Sequence, residues 1–247
     1  MAASVGILAH DVQRDDIPPK LLILNNIGQC LFILLFHFLP YFVTDTFIVI
    51  SSPIRTVKLF CLSFGIIGGL TRWFANGRLQ RTKVFKTTSK RSKWHHLCSR
   101  FTHIFKCGCA FGLSVLLYHL IAVLYGAAFV ELVEETFMFS VLLATLSTLP
   151  CLLVLGLNGD AWSRLFTNNK PILGLESCLQ QTTVITLIGA WLGAFVVPLD
   201  WDRPWQEWPI SCLIGASAGH CFGLVISSLY LFYKTKDKRK GNKSKKV

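Results

Sequence analysis

The sequence predicts an all-α, polytopic transmembrane helical bundle of about six spans with both termini in the cytoplasm. Three observations lead there. Of 247 residues, 52% are hydrophobic and only 15% charged, with a mean hydropathy of +0.51. A soluble domain carries about a quarter charged residues. The apolar residues fall into runs of roughly 20, the length a helix needs to cross a bilayer. Lys and Arg collect outside those runs, ten of them from Arg72 to Lys106 and eight from Lys234 onward. The net charge of +12 therefore reads as the basic bias of cytoplasmic loops, not as a nucleic-acid surface. No nucleic-acid partner is expected, and contact with anionic membrane lipids is a secondary expectation.

Taken in order, residues 1–20 form a polar cytoplasmic leader with Asp11, Asp15, Asp16 and the pair Pro18-Pro19. It lacks the basic start and short apolar core of a cleavable signal, so the first span is expected to direct its own insertion. That span, 21–44, is unusually polar, with Asn25, Asn26, Gln29 and His37. Such groups are expected to find partners across helix interfaces. The second span, 56–75, carries Lys58 near one end and Gly65 and Gly69 four apart. A basic cytoplasmic loop, 76–106, follows and contains no acidic residue.

The third span, 107–130, has Gly108 and Gly112 four apart and the pair Tyr118-His119. Glu131, Glu134 and Glu135 then form an acidic cluster with no basic residue nearby in sequence. The fourth span, 136–157, contains Pro150. A polar connector with Arg164 and Lys170 leads to the fifth span, 178–197, entered through Gln180, Gln181, Thr182 and Thr183. The sixth span is 210–233 and the basic cytoplasmic tail 234–247. These six spans make one membrane domain, 21–233.

Orientation follows from charge. With both termini cytoplasmic, two Lys or Arg lie in the leader, ten between Arg72 and Lys106, two in the 158–177 connector and eight in the tail. That places 22 of the 25 on one side and leaves Arg55, Lys58 and Arg203 opposite. In the tail, Lys245 and Lys243 stand third and fifth from the last residue, the K-x-K-x-x spacing of an endoplasmic reticulum retrieval signal. A generic basic anchor explains the same lysines.

The last two spans form the feature around which the chain is organised. Gly189 and Gly193 precede the connecting loop, and Gly215, Gly219 and Gly223 follow it. Positions four apart share a helical face, so each run is a groove that admits another helix closely. Two occupants fit: helices of a partner protein, or the chain's own bundle. The loop between, 198–209, holds Asp200, Trp201, Asp202, Arg203, Trp205 and Trp208. Tryptophans suit the headgroup layer, which places this loop at the lumenal interface.

Chemistry is sparse by comparison. The nine cysteines lie mostly within apolar runs and read as small hydrophobes. Cys107 and Cys109, with Cys98 and His103, lack the usual two-to-four-residue zinc spacing. Asp200 and Asp202 are two apart, but a lone pair of carboxylates falls short of a catalytic ligand set. No HExxH, GxSxG or P-loop pattern occurs. No catalytic residue, metal or cofactor is expected. The competing reading is a membrane enzyme or lipid carrier that handles a lipid headgroup directly through the 198–209 loop. In it, Asp200, Asp202 and Arg203 engage the headgroup, with His119 or His220 assisting.

The segment GAWLGAFVVPLDWDRPWQEWPISC and the glycine run after it, preceded by PCLLVLGLN and LQQTTVITLIGAWLG, resemble the phosphatidylinositol-glycan biosynthesis class F (PIG-F) family. The match is most specific over Pro150 to Ser228. The resemblance implies a multi-pass protein of the endoplasmic reticulum membrane acting in glycosylphosphatidylinositol (GPI) anchor biosynthesis. It implies a non-catalytic subunit that stabilises large multi-span ethanolamine phosphate transferases, the enzymes that add phosphoethanolamine to mannoses of the lipid-linked glycan.

Overall fold

A computed structural model describes residues 18–44, 48–83, 93–128, 130–171, 174–199 and 201–244. No strand occurs among them. The helices are α1 (Pro19–Thr44), a short α2 (Ile48–Ser51), α3 (Pro53–Lys83), α4 (Lys93–Leu124), α5 (Val133–Leu146) and α6 (Thr148–Leu155). A short α7 (Gly159–Trp162) runs into a π turn (Ser163–Thr167), followed by α8 (Leu175–Ala194), a 3₁₀ turn (Pro204–Gln206) and α9 (Ile210–Ser244).

Among the described residues, five stretches are long and apolar enough to cross a membrane: Pro19–Leu39, Pro53–Thr71, Phe101–Leu124, Val133–Leu155 and Ile210–Asp237. The expected fifth of six spans, α8, is not among them, although it has 20 residues. Gln180, Gln181, Thr182, Thr183 and Thr186 dilute its apolar content.

Helix ends differ from the sequence expectation in ways that have physical causes. The helix α3 continues to Lys83 and α4 begins at Lys93, so both ends of the expected basic loop are helical. The basic tail is likewise a continuation of α9 as far as Ser244. Lys, Arg and Gln are good helix formers, and no proline interrupts these stretches. The expected span 136–157 is two helices broken at Ser147. Pro150 then falls in the first turn of α6, where its missing N–H leaves no helical bond unmade. Ser147 Oγ donates to the Leu143 carbonyl at 2.5 Å and accepts from the Tyr118 hydroxyl at 2.8 Å.

The chain divides into two compact units, Met1–Ser51 with Asp160–Val247, and Ser52–Gly159. In the second of these, α5 and α6 pack against both α3 and α4. Their core includes Phe60 and Phe64 of α3, Val115 of α4, and Leu142, Leu146 and Leu152. Lys58 Nζ lies 2.9 Å from Glu134 Oε1, so folding supplies a cation to the acidic cluster from 76 residues away in sequence.

In the other unit, α8 and α9 form a hairpin and α1 lies along α9. Asn26 of α1 donates from Nδ2 to Ser227 Oγ and to Ser228 Oγ, each at 3.1 Å. Leu22, Cys178 and Leu231 close a small apolar cluster that joins all three helices. Asn26 thus finds the interhelical partners expected of a polar residue in a span. His37 bonds within its own helix, Nδ1 lying 2.9 Å from the Ile33 carbonyl oxygen.

Candidate functional site

The hairpin of α8 and α9 brings all five singled-out glycines into one seam. A Cβ on Gly193 would lie 2.5 Å from the Ser211 carbonyl oxygen, and one on Gly219 would lie 2.6 Å from that of Ile185. A Cβ on Gly223 would lie 2.8 Å from Thr182 Cα, and Gly189 and Gly215 face one another's carbonyl oxygens more closely still. Contacts rise along α9 as they fall along α8, so the pair is antiparallel with backbones touching. The glycine faces are occupied within the chain itself, the second of the two occupants that the spacing admits.

Close backbones leave little room for side chains, and Thr182 and Thr186 in the seam are bonded locally. Thr182 Oγ1 donates to the Cys178 carbonyl at 2.7 Å and Thr186 Oγ1 to the Thr182 carbonyl at 2.6 Å. With its one proton committed, Thr186 Oγ1 accepts from His220 Nδ1 at 3.0 Å, which fixes the proton of that ring on Nδ1. His220 is fully enclosed, at 1% exposure. Ten residues into α9, it stands about 15 Å along the helix from the loop. It is a packing histidine, out of reach of the loop's charged groups.

The loop is built around Gln206, which is buried. Its Nε2 donates to the carbonyls of Val196 at 3.0 Å and Leu199 at 2.7 Å, and its Oε1 accepts from the Arg203 N–H at 3.0 Å. One amide therefore ties the end of α8 to the 3₁₀ turn. Asp202 adopts a left-handed φ of 48°, which Asp tolerates better than most residues. Trp201, Asp202 and Arg203 are exposed, and Trp205 and Trp208 are half-buried. Trp201 and Trp205 meet edge to face with centroids 5.8 Å apart. Asp200 lies outside the described residues, as does Lys245, and of Lys243 only the backbone, within α9, is described. Among the described residues no three His, Cys, Asp or Glu side chains come together to hold a metal ion.

The family model for the GPI biosynthesis protein family Pig-F matches residues 23–228. The chain belongs to the Pig-F family. It is 41% identical over 217 residues to the mouse "GPI ethanolamine phosphate transferase, stabilizing subunit", covering 88% of this chain and 94% of that one. The human protein of the same description is 40% identical over 208 residues, covering 84% and 90%. The "Glycosylphosphatidylinositol anchor biosynthesis protein 11" of Yarrowia lipolytica is 39% identical over 112 residues, covering 45% of this chain and 48% of that one. No solved structure matches.

Two features of this Pig-F chain escape sequence reading. Arg164, on the π turn, grips Glu176 with two bonds, Nη2 to Oε1 at 2.7 Å and Nε to Oε2 at 3.3 Å. The Glu176 side chain is only 2% exposed. Gln180 joins the same junction, donating to the Leu165 carbonyl at 2.8 Å and to Asn169 Oδ1 at 2.6 Å. These contacts lock the 160–170 connector onto the start of α8. Nothing in the spacing of Arg164 and Glu176 signals a pair, because they sit in different elements. Gln206 was hidden for a similar reason: a lone glutamine among tryptophans carries no pattern.

Proposed function

We propose that this chain is the non-catalytic stabilising subunit of a GPI ethanolamine phosphate transferase in the endoplasmic reticulum membrane. The transferase it supports adds phosphoethanolamine to mannose of the lipid-linked glycan. The observation that carries this is similarity over nearly the full length of two relatives described as that stabilizing subunit. The geometry supports it: the hairpin is a rigid packed element, and its enclosed histidine is bonded to a threonine instead of facing the charged loop.

In this reading the chain crosses the bilayer six times, with α8 inserted as half of a hairpin. Its Thr182 and Thr186 hydroxyls are bonded to its own backbone, which lowers the cost of placing them in hydrocarbon. Both termini and the basic segments face the cytoplasm, and the Trp201–Trp208 loop lies at the lumenal surface beside the transferase. The glycines serve the partner by fixing the hairpin's shape. The exposed stripe Val184, Ile188, Trp191, Leu192 and Phe195 remains on α8 to meet transferase helices. Lys243 and Lys245 act as a retrieval signal.

Depleting this chain from cells tests the reading. The half-life of the transferase should shorten while its transcript is unchanged. An unchanged half-life would refute a stabilising role.

A further inference from the structure

His103 and Cys107 of α4 take no part in the hairpin or its loop. They stand four residues apart, on one helical face, and His103 Nδ1 lies 3.7 Å from Cys107 Sγ. The larger radius of sulfur makes that a hydrogen-bond distance. The imidazole is backed on its other edge: a Cβ on Gly156, at the end of α6, would lie 3.3 Å from His103 Nε2. Gly156 has a left-handed φ of 62°, which favours glycine, so the chain keeps this space for the ring. Cys107 is half-buried, and α4 around it is uncovered. Ile104 is 68% exposed, and a Cβ on Gly108 or Gly112 would meet nothing within 4 Å.

We infer that Cys107 is a site of S-acylation, taking a long-chain acyl group from an acyl-coenzyme A with His103 as its general base. With the ring proton on Nε2, Nδ1 accepts from the thiol. A nucleophile within reach of a base, the base held in place by a third group, is the arrangement of an activated nucleophile. As Cys107 Sγ attacks the thioester carbonyl carbon, its proton passes to Nδ1, so no standing thiolate is required. The bond from that carbon to the coenzyme A sulfur then breaks, and coenzyme A leaves as a thiol with the proton from the imidazolium. One thioester replaces another, and no oxidant or reductant enters.

The class of donor follows from where Cys107 stands. Lys93, Arg100 and Lys106 precede it with no acidic residue among them, and the apolar stretch runs on to Leu124. An acyl-coenzyme A has the same polarity, with an anionic phosphate-bearing head and an apolar tail. Its head is drawn to the cations and its tail to hydrocarbon. The thioester then lies at the boundary between them, where juxtamembrane cysteines are acylated. A water-soluble disulfide, the other reagent that a thiol attacks, gains nothing from the apolar side.

Cys109 is the internal comparison. It is exposed where Cys107 is half-buried, but the residue four before it is Phe105 instead of a histidine. Exposure alone favours Cys109, and the base favours Cys107.

The inference rests on the orientation proposed above, which puts Cys107 at the cytoplasmic boundary. Transferase half-life plays no part in its test, so the two readings fail separately. The full-length protein, purified in mild detergent, is incubated with alkyne-tagged palmitoyl-coenzyme A, and hydroxylamine-sensitive label is mapped by peptide. Label should form at Cys107 about fivefold or more faster than at Cys109, and Cys107→Ala should abolish the faster phase. His103→Ala should slow labelling of Cys107 about tenfold or more and leave Cys109 unchanged. Added imidazole should restore part of that rate, which it would not do for a merely structural histidine. In native membranes, exchange of hydroxylamine-released acyl groups for a mass tag should shift the wild-type chain but not Cys107→Ala. Faster labelling of Cys109, a Cys107 rate indifferent to His103→Ala, or a wild-type chain without the tag in native membranes would each overturn the inference. Cys107 that reacts with oxidised glutathione but not with the acyl donor would overturn it too, marking a redox thiol instead.

Discussion

Gly189 of α8 and Gly219 of α9 approach so closely that a Cβ on Gly189 would lie 2.8 Å from Gly219 Cα. No side chain fits between them. The seam therefore depends on hydrogen at these positions, and the hairpin's shape depends on the seam.

Gly219→Ala places a methyl group 2.6 Å from the Ile185 carbonyl oxygen, which forces the helices apart. The expected loss is about 1–3 kcal/mol, read as a lower thermal midpoint in mild detergent. Gly219→Leu should unfold the hairpin and lower transferase abundance with it. Gly112→Ala, whose Cβ meets nothing within 4 Å, is the control and should be neutral. Equal effects at Gly112 and Gly219 would mean that the seam is not what glycine serves.

That contrast shows what the sequence reveals and what it does not. Gly108 and Gly112 on α4 have the same spacing as Gly189 and Gly193, yet face open space. Spacing announces a face that admits a helix, but not whether the chain itself fills it. The apolar runs and the basic clusters were legible because length and charge act locally. The Arg164–Glu176 grip and the Gln206 anchor were not, since both pair residues whose proximity only folding creates. The helical ends of the basic loop were missed because positive charge marks sidedness, not backbone conformation.

Breaking the buried pair should be costly. Arg164→Ala leaves the Glu176 carboxylate enclosed without its two bonds, and roughly 2–4 kcal/mol of stability should be lost. Arg164→Lys restores the charge but not the fork, and recovers only part. Thermal unfolding of the two variants checks the order. A neutral Arg164→Ala would mean that the junction contributes nothing.

The exposed pair should behave oppositely. Lys58 and Glu134 are 51% and 60% exposed, so a double-mutant cycle on Lys58→Ala and Glu134→Ala should give a coupling below about 1 kcal/mol that salt diminishes. A larger, salt-insensitive coupling would mean that the pair is shielded in the membrane assembly.

Gln206→Ala removes three hydrogen bonds that hold the loop. The expected outcome is faster proteolysis between residues 196 and 209 and a shift in tryptophan emission as Trp201 and Trp205 separate. The helices should keep their ellipticity. An unchanged cleavage rate would show that the loop is held by other contacts.

The central claim is that this chain exists to hold a transferase. Affinity purification of the tagged chain from its own membranes in mild detergent, followed by identification and quantitation of co-purifying membrane proteins, tests it most directly. The account predicts recovery of a large multi-span ethanolamine phosphate transferase at near-equal amount, reduced by Gly219→Leu. Recovery of the chain alone, turning over lipid substrate unaided, would contradict it.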